Sequence, residues 1–223
     1  MNRENNIGFK IKRLTAVAMF CALAYVCTLV IHPPVQFLTL DVKDALIVLA
    51  ALLFGPTAGI VIALVVPLLE FITISSTGVY GLIMNVLSSL TFSVVAGVIY
   101  RYKRTISGAV IGLVSAVFSV TAVMLVANIF ITPHFMGVPT ETVLVLIPTL
   151  LLPFNLVKAV LNAAIVLLLY KPLSKTLRRI GFLQSAGSSA SGTAVGKGRS
   201  MLVSAIAVAM IMASLAVVFW ILA

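Results

Sequence analysis

Charged residues, and acidic residues above all, are scarce in this sequence. Only 9% of the 223 residues are charged, with 5 Asp and Glu against 15 Lys and Arg, whereas 62% are hydrophobic. A soluble domain carries roughly a quarter of its residues as charged side chains. No soluble fold of this length could bury so much apolar surface. The composition therefore excludes a soluble domain and indicates a polytopic membrane protein.

Residue types that carry catalysis or bind metals are scarce as well. Cys21 and Cys27 lie in one apolar run without forming a Cys-x-x-Cys motif, which is typical of buried thiols. The stretch Gly192–Gly198 is nearly an ATP-binding P-loop, but its glycines are one residue too close. It also ends in Gly where a Ser or Thr would hold magnesium. We therefore predict no enzyme activity, no metal and no cofactor, and a chain that does not itself hydrolyse ATP.

Long apolar runs dominate the sequence instead, and a membrane-spanning helix needs about 20 such residues. The run Ala45–Ile72 contains a Gly-Pro pair and could be one long tilted helix or a tight hairpin of two helices. If the basic cluster Arg101–Arg104 is cytoplasmic, like the basic N-terminus, an even number of spans must precede it. We therefore predict a hairpin of two helices that breaks between Phe54 and Thr57. The other predicted spans are Leu14–Ile31, Val79–Tyr100, Ile106–Thr132, Thr142–Tyr170 and Met201–Leu222.

The basic residues follow this topology. Thirteen of the fifteen Lys and Arg fall on the predicted cytoplasmic side, which accounts for the net charge of +10 without a nucleic-acid partner. The predicted fold is all-α: a six-helix bundle in the lipid bilayer with one extra C-terminal transmembrane helix. Its parts are a cytoplasmic N-terminus (1–13), the membrane domain (14–180), a flexible linker rich in Gly and Ser (181–199) and the extra helix (200–223).

Polar residues inside the predicted spans are candidates for function, because they are costly in lipid. Asn155, Lys158 and Asn162 have the three- and four-residue spacing that places them on one helical face. Amides and an ammonium on one face form a donor-rich wall for a polar ligand. The alternatives for Lys158 are a buried ion pair with Glu70 or a side chain that extends to the membrane surface.

Further polar residues fall in the outer halves of their helices and could converge on one pocket that opens outward. These are Tyr80, Asn85, Asn128 and Asn155. Apolar and polar residues alternate over 37–42, which indicates a short extended segment that could cover such a pocket. Its Asp41, together with Asp44, could instead cap the following helix. Both acids belong to an outer loop and no base accompanies a serine, so an intramembrane enzyme is disfavoured.

Several stretches together resemble the substrate-binding S components of energy-coupling-factor (ECF) vitamin importers, and most of all the riboflavin-specific type. The resemblance covers about residues 10–180. Its least specific part is the Phe-Gly-Pro-x-x-Gly turn at 54–59, and its most specific part is Pro-Phe-Asn-x-x-Lys at 153–158. The other matching stretches are an Ala-rich first helix, Phe37–Asp44 and Gly81–Asn85.

The resemblance implies a riboflavin-binding subunit in a bacterial plasma membrane. Asn128, Asn155 and Lys158 would bind the flavin, and Leu38, Thr39 and Asp41 would belong to a loop that closes over it. Lys158 would also tolerate the phosphate of FMN. An apolar slot for the flavin ring is available from Phe37, Phe71, Tyr80, Phe135 and Phe154.

The expected partners are a transmembrane coupling protein, on which Ala18 and Ala22 would dock, and two cytoplasmic ATPase subunits. The small-xxx-small spacing of these alanines permits close approach of helices. The alternatives are an S component for another vitamin, such as thiamine or pantothenate, and a stand-alone secondary transporter. A thiamine site would make Glu70 the key residue, and a secondary transporter would need inverted repeats.

Overall fold

Helices make up nearly all of the chain in the computed structural model, which describes residues 3–31, 33–182 and 197–222. Two short strands, β1 and β2, form an antiparallel hairpin with Val35 opposite Leu38. A π-helical turn separates α6 from α7. The elements in chain order are α1 (Arg3–Val30), β1 (Pro34–Val35), β2 (Leu38–Thr39), α2 (Lys43–Phe54), α3 (Pro56–Thr73), α4 (Gly78–Tyr102), α5 (Ile106–Met136), α6 (Thr140–Leu146), the π-helical turn (Ile147–Leu151), α7 (Leu152–Arg179) and α8 (Lys197–Leu222).

The long apolar run after the β-hairpin breaks into two helices where the Gly-Pro pair predicted it. Gly55 has a φ of 97°, a conformation that side-chain-bearing residues rarely adopt. Pro56 then opens α3 at the position where its missing N–H is harmless. On the other side of the turn, Arg13 of α1 donates from Nη2 to the carbonyl of Phe54 at 2.6 Å. This contact ties α1 to the end of α2.

The helices pack as an antiparallel bundle around α2. Ten of the twelve residues of α2 are buried, and the helix contacts α1, α3, α4 and α7. Beyond this centre, α4 packs against α5, α5 against α7, and α7 against α8. The alternating directions give the bundle a hairpin end, which carries β1 and β2, and a basic end, which carries Arg13, Lys103 and Arg179.

The prediction of an all-helical membrane bundle is confirmed, with one difference in length. Within the described residues, five stretches are long and apolar enough to cross a membrane: Lys10–Val30, Pro56–Thr73, Gly78–Tyr102, Ile106–Met136 and Thr140–Arg179. The central helix α2 has only 12 residues and rises about 18 Å. It is therefore shorter than a full span, because the polar segment before it occupies the hairpin end.

The C-terminal part is a helix, as predicted, and it lies along α7. Its apolar stretch Val203–Val217 is 15 residues long. Most of the predicted linker, residues 183–196, lies outside the described residues.

Candidate ligand-binding site

A cavity of about 700 Å³, which includes open solvent, lies at the hairpin end between the β-hairpin, α4, α5 and α7. One part of its lining is aromatic and aliphatic, and the other is made of amides, hydroxyls and one ammonium. The lining residues are Phe37, Leu38, Thr39, Thr77, Tyr80, Gly81, Met84, Asn85, Ser88, Met124, Asn128, Ile131, Thr132, Phe135, Phe154, Asn155 and Lys158.

The structure brings seven of the eight predicted ligand-binding residues to this cavity. They are Leu38, Thr39, Tyr80, Asn85, Asn128, Asn155 and Lys158. The eighth, Asp41, does not line the cavity; it lies behind Lys158 and bonds to it. The predicted convergence of polar groups from separate helices is therefore present in the fold. Binding of a ligand by these residues remains a prediction.

Helix α7 supplies Asn155 and Lys158 to the polar part of the cavity lining. A π-helical turn precedes this helix. Pro148 lies within the π-helical turn that leads into α7, and Pro153 lies in the first turn of α7. Turns of this π-helical kind often occur at functional sites. One turn further on, Asn155 donates from Nδ2 to the carbonyl of Leu151 at 2.8 Å. This bond fixes the Asn155 amide at the cavity surface.

Lys158 and Asn162 join α7 to the segment that precedes α2. Lys158 donates from Nζ to Oδ2 of Asp41 at 2.8 Å and lies 3.4 Å from the carbonyl oxygen of Thr39. Asn162 donates to the Asp41 carbonyl at 3.0 Å and accepts from the N–H of Ala45 at 2.8 Å. The face predicted from the spacing of these α7 residues is thus a real surface, and it holds the hairpin and the start of α2.

The ion pairs differ from the predicted alternatives. Glu70 pairs with Lys43, not Lys158, with 2.5 Å between Nζ and Oε2. Lys43 also lies 3.5 Å from Asp41, and Lys158 is the second partner of that carboxylate. The predicted alternative in which Lys158 pairs with Glu70 is therefore wrong. Lys158 pairs with Asp41, which lies between β2 and α2, and Glu70 pairs with Lys43.

The predicted capping of α2 by its nearby acids is also wrong. The N-cap residue is Val42, with no side-chain capping bond. Asp44 lies in the first turn and accepts a hydrogen bond of 2.5 Å from Ser89 of α4 instead. Ser88 lies 3.4 Å from the same carboxylate. Asp41 therefore contacts α7 and Asp44 contacts α4, and neither side chain caps α2.

Full burial alone would raise the pKa of the Asp41 carboxyl. The ammonium groups of Lys158 and Lys43 outweigh this effect and lower the pKa of Asp41 below its ordinary value. A buried carboxylate is stable only when it is paired, and here two lysines provide the pairing. Asp41 is therefore held ionised beside the cavity, with a side chain that is 2% exposed.

The apolar slot predicted for a ring is largely present. Phe37, Tyr80, Phe135 and Phe154 line the cavity, and the rings of Tyr80 and Phe135 meet edge to face with centroids 6.2 Å apart. Phe71 does not; it lines a second cavity of about 850 Å³ between the hairpin, α1, α3 and α4. The two cavities share Thr39, Thr77 and Asn85 in their walls.

Several lining residues were not predicted. On α5, Met124, Ile131 and Thr132 join Asn128 on one helical face, and their spacing of four, seven and eight from Met124 would have identified them. On α4, Gly81 lines the cavity where an added Cβ would lie 1.8 Å from Oγ1 of Thr77. No sequence signal marks that close approach.

The predicted docking residues Ala18 and Ala22 lie on the exposed face of α1, whereas Ala16 and Ala24 are buried against the bundle. The exposed face also carries Leu14, Met19 and Leu23, each at least half exposed. Small residues on this face are compatible with another helix approaching it closely. The docking role remains a prediction.

The fold and the cavity define a multi-pass membrane protein with a ligand-sized site at one end of a helical bundle. The protein family described as "ECF transporter, substrate-specific component" matches this chain over residues 12–170. The chain therefore belongs to the substrate-specific components of ECF transporters.

Two curated relatives have similar sequences. The riboflavin transporter RibU of Staphylococcus aureus (strain TCH60) is 33% identical over 179 residues, which are 76% of this chain and 94% of that protein. The riboflavin transporter FmnP of Bacillus subtilis (strain 168) is 24% identical over 174 residues, which are 72% of this chain and 91% of that protein. Both alignments leave a similar fraction of this chain unmatched.

A solved structure described as the S component of a bacterial ECF transporter is also similar. It superposes with a TM-score of 0.65 at 33% identity and covers 76% of this chain and 99% of its own. The chain thus has the bundle of that structure and further residues besides.

Proposed function

We propose that this chain is the riboflavin-binding subunit of an ATP-driven ECF importer. The observation that carries the proposal is the composition of the cavity at the hairpin end. Aromatic side chains face part of it, and the amides of Asn85, Asn128 and Asn155 and the Lys158 ammonium face the rest. Riboflavin has a flat fused ring for an aromatic slot and carbonyls and hydroxyls for polar groups. The relatives named as riboflavin transporters support this choice.

The proposed orientation puts the N-terminus and the basic end in the cytoplasm and the cavity at the outer surface. The grounds are the basic residues at the starts of α1 and α5 and at the ends of α4 and α7, since cytoplasmic ends of spans carry an excess of Lys and Arg. The β-hairpin would then act as the cover of an outward-opening site. Riboflavin would enter from outside and leave inside.

The proposed partners are a transmembrane coupling protein and two ATPase subunits, with the exposed Ala18 and Ala22 face of α1 as the docking surface. Family membership supports an assembly of this kind. The chain would bind the vitamin, and the partners would supply the energy of ATP hydrolysis.

Thiamine is disfavoured by the position of Glu70. A cationic thiazolium ring would need a carboxylate in the site, but Glu70 is absent from the lining of the cavity at α5 and α7 and is neutralised by Lys43. Riboflavin, which is uncharged, needs no such partner.

The test is a titration of the purified, detergent-solubilised protein with riboflavin, followed by quenching of flavin fluorescence. We expect saturable binding with one flavin per chain, and a yellow protein when the cells grow with riboflavin. The control titrant is thiamine, which should not compete. A protein that binds no riboflavin at micromolar concentrations would overturn the proposal.

A further inference from the structure

The charge beside the cavity suggests which form of a flavin the site accepts. Among the described lining residues, Lys158 alone is charged, and its ammonium is committed to Asp41 at 2.8 Å. Its side chain is 13% exposed and the Asp41 side chain 2%. At this depth the attraction between the two charges is only weakly screened. The cavity therefore presents a hydrogen-bond donor with almost no net positive charge.

The buried charged residues around Lys158 likewise carry no net positive charge. Behind Lys158 they comprise Asp41, Asp44 and Glu70, with Lys43 as the second cation. Three carboxylates and two ammonium groups meet here, so the fully ionised cluster is not positive. Two buried carboxylate oxygens, Oδ1 of Asp41 and Oε1 of Glu70, have no hydrogen-bond partner among the described residues. With three carboxylates against two ammonium groups, an anionic ligand group near these oxygens would find neither a free cation nor a hydrogen-bond donor in the cluster.

We propose that Asp41 determines the specificity of the site by neutralising Lys158, so that the cavity accepts the uncharged flavin and disfavours its phosphate ester. The inference rests on the proposed riboflavin site. Riboflavin can accept a hydrogen bond from Lys158 without disturbing the pair. The phosphate of FMN carries about −1.5 to −2 charges at neutral pH. Lys158 is the one cation in the described lining, so a phosphate seated in the cavity would have to compete with Asp41 for this ammonium. Asp41 is thus a positioning residue that acts through Lys158.

The experiment compares the affinities of riboflavin and FMN for four proteins: the wild type, Asp41→Asn, Asp41→Glu and Glu141→Gln. Asn keeps a similar shape and removes the charge, whereas Glu keeps the charge. Glu141 is an exposed acid outside the cavity lining, so Glu141→Gln is the matched control. Each affinity is measured by quenching of flavin fluorescence in detergent, and the readout is the ratio of the two dissociation constants.

The wild type should bind riboflavin at least about tenfold more tightly than FMN, and Asp41→Asn should shrink this preference by about tenfold or more, since one unit charge a few ångströms away is removed. Asp41→Glu and Glu141→Gln should keep the wild-type preference. An equal affinity of the wild type for both flavins would overturn the inference, even if Asp41→Asn does not fold.

A merely structural role of Asp41 gives a different result. Asp41→Asn would then weaken both flavins by the same factor and leave the ratio unchanged, which would also overturn the inference. In both cases riboflavin binding by the wild type would still stand, so failure of the specificity role is distinct from failure of the proposed function. If neither flavin binds the wild type, the proposed function itself fails.

Discussion

Lys43, the first residue of α2, and Glu70, near the end of α3, form a buried ion pair with 2.5 Å between Nζ and Oε2. Their side chains are 1% and 5% exposed. Asn85 of α4 lies 3.2 Å from the same carboxylate oxygen and donates to it. Three helices are therefore joined by one buried charge cluster directly beneath the hairpin.

Removal of one partner from this pair should destabilise the bundle strongly. For Glu70→Ala we expect a loss of about 3–5 kcal/mol, because the Lys43 ammonium would stay buried with less compensation. The double variant Lys43→Met/Glu70→Met should lose less stability than Glu70→Ala, since neither charge of the pair is left behind and Asp41 keeps Lys158 as its partner. Thermal unfolding in detergent measures both. Glu141→Ala is the exposed control, and a Glu70→Ala protein as stable as this control would contradict the prediction.

Asn162 should couple the stability of the fold to the position of the hairpin. Asn162→Ala removes the bonds to the Ala45 N–H and the Asp41 carbonyl and should cost about 1–3 kcal/mol of stability, because buried polar groups lose their partners. Riboflavin affinity should fall as well, since the backbone of Asp41 loses its bond to α7.

Asn162→Asp separates the two bonds of this residue. Its carboxylate can still accept from the Ala45 N–H, but it cannot donate to the Asp41 carbonyl. Because Asn162 is 0% exposed, the new carboxylate would also be buried against the Asp41 carbonyl oxygen. We therefore expect a loss of stability at least as large as that of Asn162→Ala, together with a loss of riboflavin affinity. An affinity equal to that of the wild type would show that the hairpin does not depend on this bond.

Lys158→Ala should weaken riboflavin binding by about 1.5–3 kcal/mol, roughly 10- to 150-fold, because a hydrogen bond to a charged group is lost. Lys175→Ala is the matched control, since Lys175 lies on the same helix but is exposed near the basic end. Fluorescence titration checks both. Equal affinities of the two variants would remove Lys158 from the site.

Close packing of α2, α3 and α4 should make Gly59 intolerant of a side chain. A Cβ at Gly59 would lie 2.7 Å from the Cβ of Ala51 and 3.1 Å from that of Ser93. Gly59→Ala should therefore cost about 1–3 kcal/mol through overpacking. Gly8→Ala, where a Cβ meets nothing within 4 Å, should be neutral or slightly stabilising. The unfolding temperatures of the two variants test the difference.

Substitution of the exposed alanines of α1 should separate binding from transport. Ala18→Leu/Ala22→Leu adds bulk on a face that is exposed in the bundle, so riboflavin affinity should stay within twofold. Uptake by cells that express the partner subunits should fall at least tenfold, because the helices can no longer approach closely. Ala205→Leu, at an exposed site on α8, is the control. Normal uptake by the double variant would place the docking surface elsewhere.

Periodicity and charge were sufficient to predict the helical bundle, the break at Gly55 and the shared face of Asn155, Lys158 and Asn162. They were insufficient for contacts across long sequence separations. Lys158 lies 117 residues from Asp41, and Glu70 was the one acid predicted as an alternative partner of Lys158. The position of the β-hairpin places Asp41 against α7 and so makes it the partner of Lys158. No local sequence pattern predicts that position.

The shortness of α2 has a consequence for how the protein enters the membrane. A helix of 12 residues with Lys43 and Asp44 in its first turn is too short and too polar there to be retained in lipid by itself. The tight turn at Gly55 joins it directly to α3, so the two helices would have to insert together as one hairpin. The partners of Lys43 and Asp44 lie on α3 and α4, and Lys158, the partner of the neighbouring Asp41, lies on α7. The charge cluster is therefore complete only after α7 has been synthesised.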